Sequence, residues 1–357
     1  MSTLPRPARR ADLAAGLGSF ALLATGCGER SRLFALPAGG HVFRGFAMGS
    51  TYTVKIATPG VAKTTLATAQ AVVADALADV VGRMSHYDPA SELSRLNRQP
   101  IGQAMAVSEP TLWVFRVAQD VRSASGGAFD VAVGRAVDAW GFGPSERPRA
   151  VLPAPATQSL QDLQSDGALQ LDEHAATLTR HTEAWANLAG IAKGFGVDQA
   201  AAALERMDIA DYMIEVGGEI RTLGRNAEGR PWQLAIERPD AMPQRALHIV
   251  PLDGKALATS GDYRNFFMHQ GQRYSHEIDP ASAAPVRHAL ASVSVVAADC
   301  THADAWSTAL FVLGPQRGFD TAQRHGLAAY FVVRQPDGSF AERQTTAFAA
   351  LGGTAAA

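Results

Sequence analysis

Asp304 and Thr308 stand four residues apart in Ala303-Asp304-Ala305-Trp306-Ser307-Thr308-Ala309-Leu310, a stretch with helical periodicity. Residues four apart share a helix face, so a carboxylate and a hydroxyl are offered to one cation. Two side-chain ligands are too few for a closed calcium cage. They suit Mg²⁺, which keeps several waters and shares oxygens with a phosphorylated substrate. In the first turn of the helix, where the spacing puts it, Asp304 would also gain from the helix dipole. Spacing alone leaves the plainer alternative standing, a solvated helix face or a cap.

A second constellation is Asn187-Leu188-Ala189-Gly190-Ile191-Ala192-Lys193-Gly194-Phe195-Gly196-Val197-Asp198. Small residues around one lysine, where a loop enters a helix, let backbone approach a phosphate with Lys193 as a point charge. Close helix packing explains the same residues. In Tyr274-Ser275-His276-Glu277-Ile278-Asp279-Pro280 a histidine ends a strand before an Asp-Pro turn, a place for a general base or for an ordinary structural histidine. Strings punctuated by Gly or Asp at Ala47–Thr51, Ser85–Pro89, Gly127–Asp130, Glu215–Glu219 and Thr259–Tyr263 read singly as turns.

These residues need elements to hold them. The chain has 357 residues, 47% of them apolar, enough for a large core. Charged residues make up only 18% and the formal net charge is −2, which argues against a nucleic-acid binder. A β-branched run predicts a strand over Thr51–Ile56, and periodicity predicts helices over Ala62–Met84, from Ser108 to Gly126, and over Ala189–Met207. Pro144 to Ser165, with Pro148, Pro153 and Pro155, reads as a surface excursion. Short strands follow at Met213–Val216, Gln233–Glu237, Leu247–Leu252, Arg273–Ile278 and Ser292–Ala297. Thr301 would cap a helix stopped by Gly314-Pro315, and a last helix and strand fall near Gly318–His325 and Ala328–Val333. Long helices with mostly sequential strands indicate an α+β fold, and no GxGxxG fingerprint supports a doubly wound one.

Arg9-Arg10, the apolar run Leu13–Ala24 and Gly26-Cys27 make residues 1–26 an export signal, with features of both twin-arginine and lipoprotein signals. Cys27 would be the acylated residue, the alternative being an ordinary cleaved signal with an incidental cysteine; residues 27–40 would be a tether and 41–350 one domain in the periplasm. With Cys27 lipidated, Cys300 has no partner and no disulfide is available.

Taken together and in order, the motifs resemble the ApbE family of FAD:protein FMN transferases. They are Met48-Gly49-Ser50, Tyr87-Asp88-Pro89, Phe129-Asp130, Ile191-Ala192-Lys193-Gly194, Gly217-Gly218, Thr259-Ser260-Gly261, His276-Glu277-Ile278-Asp279-Pro280 and Ala303-Asp304 through Thr308-Ala309-Leu310. The resemblance runs from about Gly45 to Leu313. It implies a T-fold-related mixed fold with largely antiparallel strands and flanking helices. It also implies Mg²⁺ on Asp304, Thr308 and the Gly190 carbonyl. Met48, Tyr87, Ala128, Phe129, Asp130, Lys193 and Ile278 fall on FAD-contacting positions, and His276 on the histidine implicated in transfer. Asn187 stands where the family usually has Asp; its amide can still accept a hydrogen bond from a nucleotide hydroxyl. The reaction implied is attack by a threonine hydroxyl of an acceptor protein, in a Ser-Gly-Ala-Thr-like motif, on the FMN-side phosphorus of FAD, releasing AMP. An FAD pyrophosphatase and a non-catalytic flavin-binding lipoprotein are the competing readings.

Overall fold

The structure, a computed structural model, describes residues 34–35, 40–164, 167–240 and 245–356. The signal segment and Cys27 lie outside the described residues. The chain opens with β1 (Phe34–Ala35), β2 (His41–Ala47) and β3 (Ser50–Ile56). Phe34 and Ala35 pair with Val42 and His41, so part of the expected tether is a short edge strand. Met48 and Gly49 link β2 to β3 with φ of 53° and 72°. Two successive positive φ values give a type I′ turn, whose twist suits a hairpin.

Helix α1 (Lys63–Met84) buries Leu66, Ala69, Val73, Leu77, Val80 and Met84, a stripe at helical spacing. Next come α2 (Glu92–Arg98), β4 (Ala104–Ala106), α3 (Glu109–Ala124), α4 (Gly134–Ala139), α5 (Ala154–Leu163), β5 (Leu169–Asp172) and β6 (Thr177–Arg180). The expected surface excursion therefore contains a helix. Pro155 sits in its first turn, where a missing N–H breaks no helical bond.

The second half holds α6 (Ala192–Glu205), β7 (Tyr212–Val216), β8 (Glu219–Leu223), β9 (Trp232–Glu237), β10 (Ala246–Leu252) and β11 (Ala256–Gly261). Then follow β12 (Phe266–His269), β13 (Gln272–Ser275), β14 (Ile278–Asp279), β15 (Ala284–Pro285) and β16 (Leu290–Ala297). Last are α7 (Cys300–Arg324), β17 (Ala328–Arg334), β18 (Phe340–Gln344), α8 (Thr346–Ala349) and β19 (Thr354–Ala355). The strand expected over Arg273–Ile278 is broken, because β13 stops at Ser275 and β14 starts at Ile278. His276 and Glu277 occupy the break. α7 is capped by Asp299, whose carboxylate accepts the His302 N–H, rather than by Thr301. At Gly314 the backbone leaves the helix (φ 80°), as Gly-Pro predicts, and the helix resumes beyond it.

Nine strands form one sheet in the order β1-β2-β3-β7-β8-β11-β16-β17-β18, and every neighbouring pair is antiparallel. Helices α1, α3, α6 and α7 lie against one face through Leu77, Phe115, Val197, Phe311 and their neighbours. The other face is covered by the small sheet β19-β10-β9 and α8, with Trp232, Leu234, Ile236, Val250 and Phe348 packed on Met213, Leu257, Val296, Tyr330 and Val332. The α+β, largely antiparallel reading of the sequence holds.

The large sheet is interrupted near its centre. β11 pairs with β16 along its whole length, Ala256 to Gly261, but with β8 only at Ala256 and Leu257. Beyond that point β8 ends at the Gly217-Gly218 turn, and β11 runs on past it without a neighbour on that side among the described strands. The N-terminal ends of α6 and α7 lie beneath the gap.

Candidate active site

A cleft of about 990 Å³ opens where β11 runs on past the β7–β8 turn. Its wall includes Met48, Tyr87, Ala128, Phe129, Asp130, Asn187, Gly190, Lys193, His276, Ile278, Asp304 and Thr308. Every site residue expected from the sequence thus faces one cavity, although the chain separates the first from the last by most of its length. A cleft of this size is at the upper end of small-molecule sites.

The floor is set by a reciprocal clasp between α6 and α7. Asp198 of α6 accepts the Cys300 N–H (2.9 Å), the Thr301 N–H (2.9 Å) and the Thr301 hydroxyl (2.6 Å), all at the start of α7. It also takes Arg221 at 2.7 Å. In return Asp304 of α7 accepts the Gly194 N–H in the first turn of α6 at 2.9 Å. Gly194 is required here, because a Cβ on it would lie 2.8 Å from Asp304 Cβ and collide with the Cys300 carbonyl. α7 begins at Cys300, so Asp304 falls in its second turn, not the first as the spacing suggested. Its charge therefore serves the start of α6 instead of its own helix.

Thr308 lies one turn further along, 3.3 Å from the Ser260 hydroxyl. Gly190 comes close against it: a Cβ at Gly190 would be 2.8 Å from Thr308 Oγ1. Asp304, Thr308 and the Gly190 backbone are thus gathered at one spot. Among the described residues no group of three His, Cys, Asp or Glu side chains could hold a metal. A site here would rely on one carboxylate, a hydroxyl and a carbonyl, the hard oxygen set expected of Mg²⁺.

Lys193, in the first turn of α6, reaches Glu219 Oε1 at 2.5 Å. Burial alone would lower the lysine, but the carboxylates of Glu219 and Asp304 outweigh it and hold the ammonium above its ordinary value. Burial pushes Glu219 up to about 7, against the pull of Lys193 and with Asp304 adding to the rise. Asp304 is raised by the same burial, against Lys193 and the Gly194 N–H. Glu219 Oε2 is buried with no hydrogen-bond partner. Two buried carboxyls thus face one ammonium, and a cation would relieve that excess of negative charge.

His276 sits across the cleft in the break between β13 and β14. Its Nδ1 is 3.2 Å from the Asn265 carbonyl oxygen. A carbonyl only accepts, so Nδ1 carries the hydrogen and Nε2 keeps the lone pair. Burial, followed by the nearby charge of Lys193, pushes the imidazole down to about 4. The ring, 38% of it open to the cleft, is neutral at physiological pH. Glu277 Oε1 lies 3.7 Å from Nε2, and burial lifts this carboxyl to about 8.

The remaining wall is held more conventionally. Asp130 is fixed by Arg122 (2.8 Å) and by the Ala132 N–H (2.8 Å), and so sets the Ala128–Phe129 turn. Asn187 Oδ1 accepts the Ala189 N–H at 2.8 Å, so one lone pair of this amide shapes the loop that carries Gly190. Tyr87 is 65% exposed at the mouth, its hydroxyl 3.2 Å from the Phe142 carbonyl. Ile278 is buried in the cluster of Trp140, Phe142 and Tyr274.

Glu219 and Glu277 were not among the sequence-derived candidates. A signal for Glu219 existed: Gly217 and Gly218 (φ 63° and 111°) make a tight turn, so Glu219 restarts the sheet directly opposite Val216 on a buried face. For Glu277 there was none, since a continuous strand would have pointed it away from His276.

Residues 48–331 match the profile of the ApbE family. The chain is 36% identical over 341 residues to the FAD:protein FMN transferase of Haemophilus influenzae, covering 93% of this chain and 95% of that one. To the FAD:protein FMN transferase of Vibrio cholerae it is 39% identical over 307 residues, covering 85% and 90%. Among solved structures, the flavin transferase ApbE from Vibrio cholerae superposes with a TM-score of 0.79 at 36% identity, covering 88% of this chain and 100% of that one. The apo flavinyl transferase ApbE of Pseudomonas stutzeri gives 0.79 at 34% identity, covering 90% and 97%.

Proposed function

The chain belongs to the ApbE family, and from that premise we propose that it transfers the FMN half of FAD to a threonine hydroxyl of an acceptor protein, releasing AMP. The observation that carries the reading is the convergence of Lys193, Gly190, Asp304, Thr308 and His276 on one cleft of about 990 Å³.

Gly190, Asp304 and Thr308 would hold Mg²⁺, and the all-oxygen donor set with its buried excess of negative charge fits that ion. Bound there, it would supply charge neutralisation at the diphosphate oxygens. Lys193 presents a second positive charge from the first turn of α6. Its ion pair with Glu219 fixes the ammonium in place before substrate arrives.

His276 takes the proton of the attacking hydroxyl. The Asn265 carbonyl holds the imidazole in the tautomer whose Nε2 lone pair is free, and its lowered pKa keeps that lone pair available. AMP needs no proton to leave, because the second pKa of a phosphate monoester is only about 6. The chain's catalytic work is therefore concentrated on the nucleophile.

Incubation with FAD, Mg²⁺ and an acceptor carrying a Ser-Gly-Ala-Thr-like motif tests the reading by intact mass. A gain of one FMN on the acceptor threonine, matched by AMP, is expected. AMP without flavinylated acceptor would identify a hydrolase instead. The reading includes export to the periplasm with a lipid anchor on Cys27, supported by Arg9-Arg10, the apolar run Leu13–Ala24 and Gly26 before the cysteine. A mature N-terminus at Cys27 carrying acyl mass, found in the membrane fraction, would bear it out.

A further inference from the structure

We infer that the acceptor protein docks by adding a strand to the free edge of β9, which delivers its hydroxyl to His276. The inference rests on the proposed transferase reading, because only that reaction brings a polypeptide to the cleft.

In the small sheet β9 pairs with β10 alone. Which of its backbone groups face outward follows from Pro251, the partner of Gln233. Proline has no N–H, so the Gln233–Pro251 pair cannot be one that exchanges two hydrogen bonds. The hydrogen bond from the Ala356 N–H to the Leu247 carbonyl agrees, since it turns the odd-numbered residues of β10 toward β19. Gln233, Ala235 and Glu237 therefore aim their N–H and C=O groups away from β10. No other strand among the described residues pairs with them.

Free strand edges are normally guarded by charge, proline or a bulge. The edge strand β18 of the large sheet carries Glu342 and Arg343. β9 carries neither charge nor proline from Trp232 to Ile236, and its one charge, Glu237 at the cleft end, is paired with Arg264. A row of alternating donors and acceptors is matched only by another extended chain, which identifies the occupant as polypeptide and not nucleotide.

The edge also leads to the right place. Ala235 and Glu237 line the same cleft as His276. Glu237 Oε2 lies 2.5 Å from Arg264 Nη2, and the next residue, Asn265, holds His276 Nδ1 through its carbonyl. An extended chain laid along β9 thus enters the cleft beside the base.

Gln233→Pro and Ala235→Pro test this, each removing one outward N–H at a position that makes no bond to β10. Proline is tolerated on a strand edge of this kind. For Gln233→Pro the unfolding transition and FAD affinity should match wild type, while KM for the protein acceptor rises on the order of tenfold. An unchanged acceptor KM in both folded variants would overturn the docking edge. So would a parallel loss of FAD affinity in Gln233→Pro, which would assign the edge to the nucleotide. A synthetic peptide spanning the acceptor motif gives an answer independent of variant folding. It should compete with the protein acceptor, and its form N-methylated at alternate residues should not; equal competition counts against strand addition. Failure of wild type to flavinylate any acceptor falls on the transferase reading itself, and is distinguished by the wild-type control.

Discussion

Asp198 does not line the cleft, yet its replacement should loosen the floor of the site. Its carboxylate accepts four hydrogen bonds, from the Cys300 and Thr301 N–H groups, the Thr301 hydroxyl and Arg221. In Asp198→Ala the hydroxyl can turn elsewhere, and Arg221 keeps Glu205 at 3.6 Å. The two backbone N–H groups have no such freedom, because Cys300 and Thr301 are fully buried. Each orphaned N–H costs about 1–3 kcal/mol. Loss of a negative charge at the start of α7 costs roughly 0.3–1 kcal/mol more. The expected destabilisation is about 3–5 kcal/mol, the size seen when one partner of a buried charged cluster is removed. Asp198→Asn keeps one acceptor oxygen and should lose about half as much. Urea unfolding followed by far-UV circular dichroism reads both values. A loss below about 1 kcal/mol for the alanine variant, or equal losses for the two, would refute the clasp as the feature that holds α6 to α7.

Other perturbations address single atoms. Gly194→Ala should destabilise by about 1–3 kcal/mol through overpacking against Cys300 and Asp304, measurable in the same unfolding assay. Thr308→Val keeps the shape of the side chain and removes its hydroxyl, so apparent Mg²⁺ affinity should fall at least tenfold with little change in the unfolding midpoint. His276→Ala should leave FAD affinity near wild type while suppressing transfer, and equal loss of both would remove the base from that role. In the free protein the His276 ring should titrate well below 6.5, visible as a low midpoint in imidazole NMR shifts. Because burial depresses this pKa, protonation of the His276 ring should contribute no fall in kcat/KM between pH 8 and 6 and should lower it only at more acid pH, a contribution that His276→Ala removes. A midpoint at 6.5 or above would show that the ring is not held neutral.

The long helices α1, α3, α6 and α7 and the strands β3, β7, β9, β10, β16 and β17 were legible from strong apolar periodicity or β-branched runs, while elements such as α2, α4, β2, β8 and β11 were not. Leu66 to Met84 and Tyr212 to Val216 are examples of the legible kind. Thr301 was misread as a cap because its hydroxyl looks the part, but it bonds to Asp198, 103 residues distant in sequence. α5 was hidden by prolines that happen to fall at and before its first turn, where they do no harm. The cleft residues were legible as motifs, and their convergence needed the sheet. Glu277 was out of reach: its place beside His276 depends on a break in a strand that the local sequence does not announce.

The length of β11 that runs on past the β7–β8 turn has a thermodynamic consequence. The Asp262 N–H bonds to the Ala291 carbonyl, so the even-numbered residues of β11 serve β16, and Thr259 and Gly261 turn their amides into the gap. Among the described residues those amides meet no neighbouring strand on that side, and whatever fills the cleft finishes a ladder left incomplete there. Ligand binding and local folding are then partly the same event. Slowed deuterium uptake on saturation with FAD should be concentrated at Thr259 and Gly261, and the substrate would act as one more strand's worth of cohesion in the centre of the sheet.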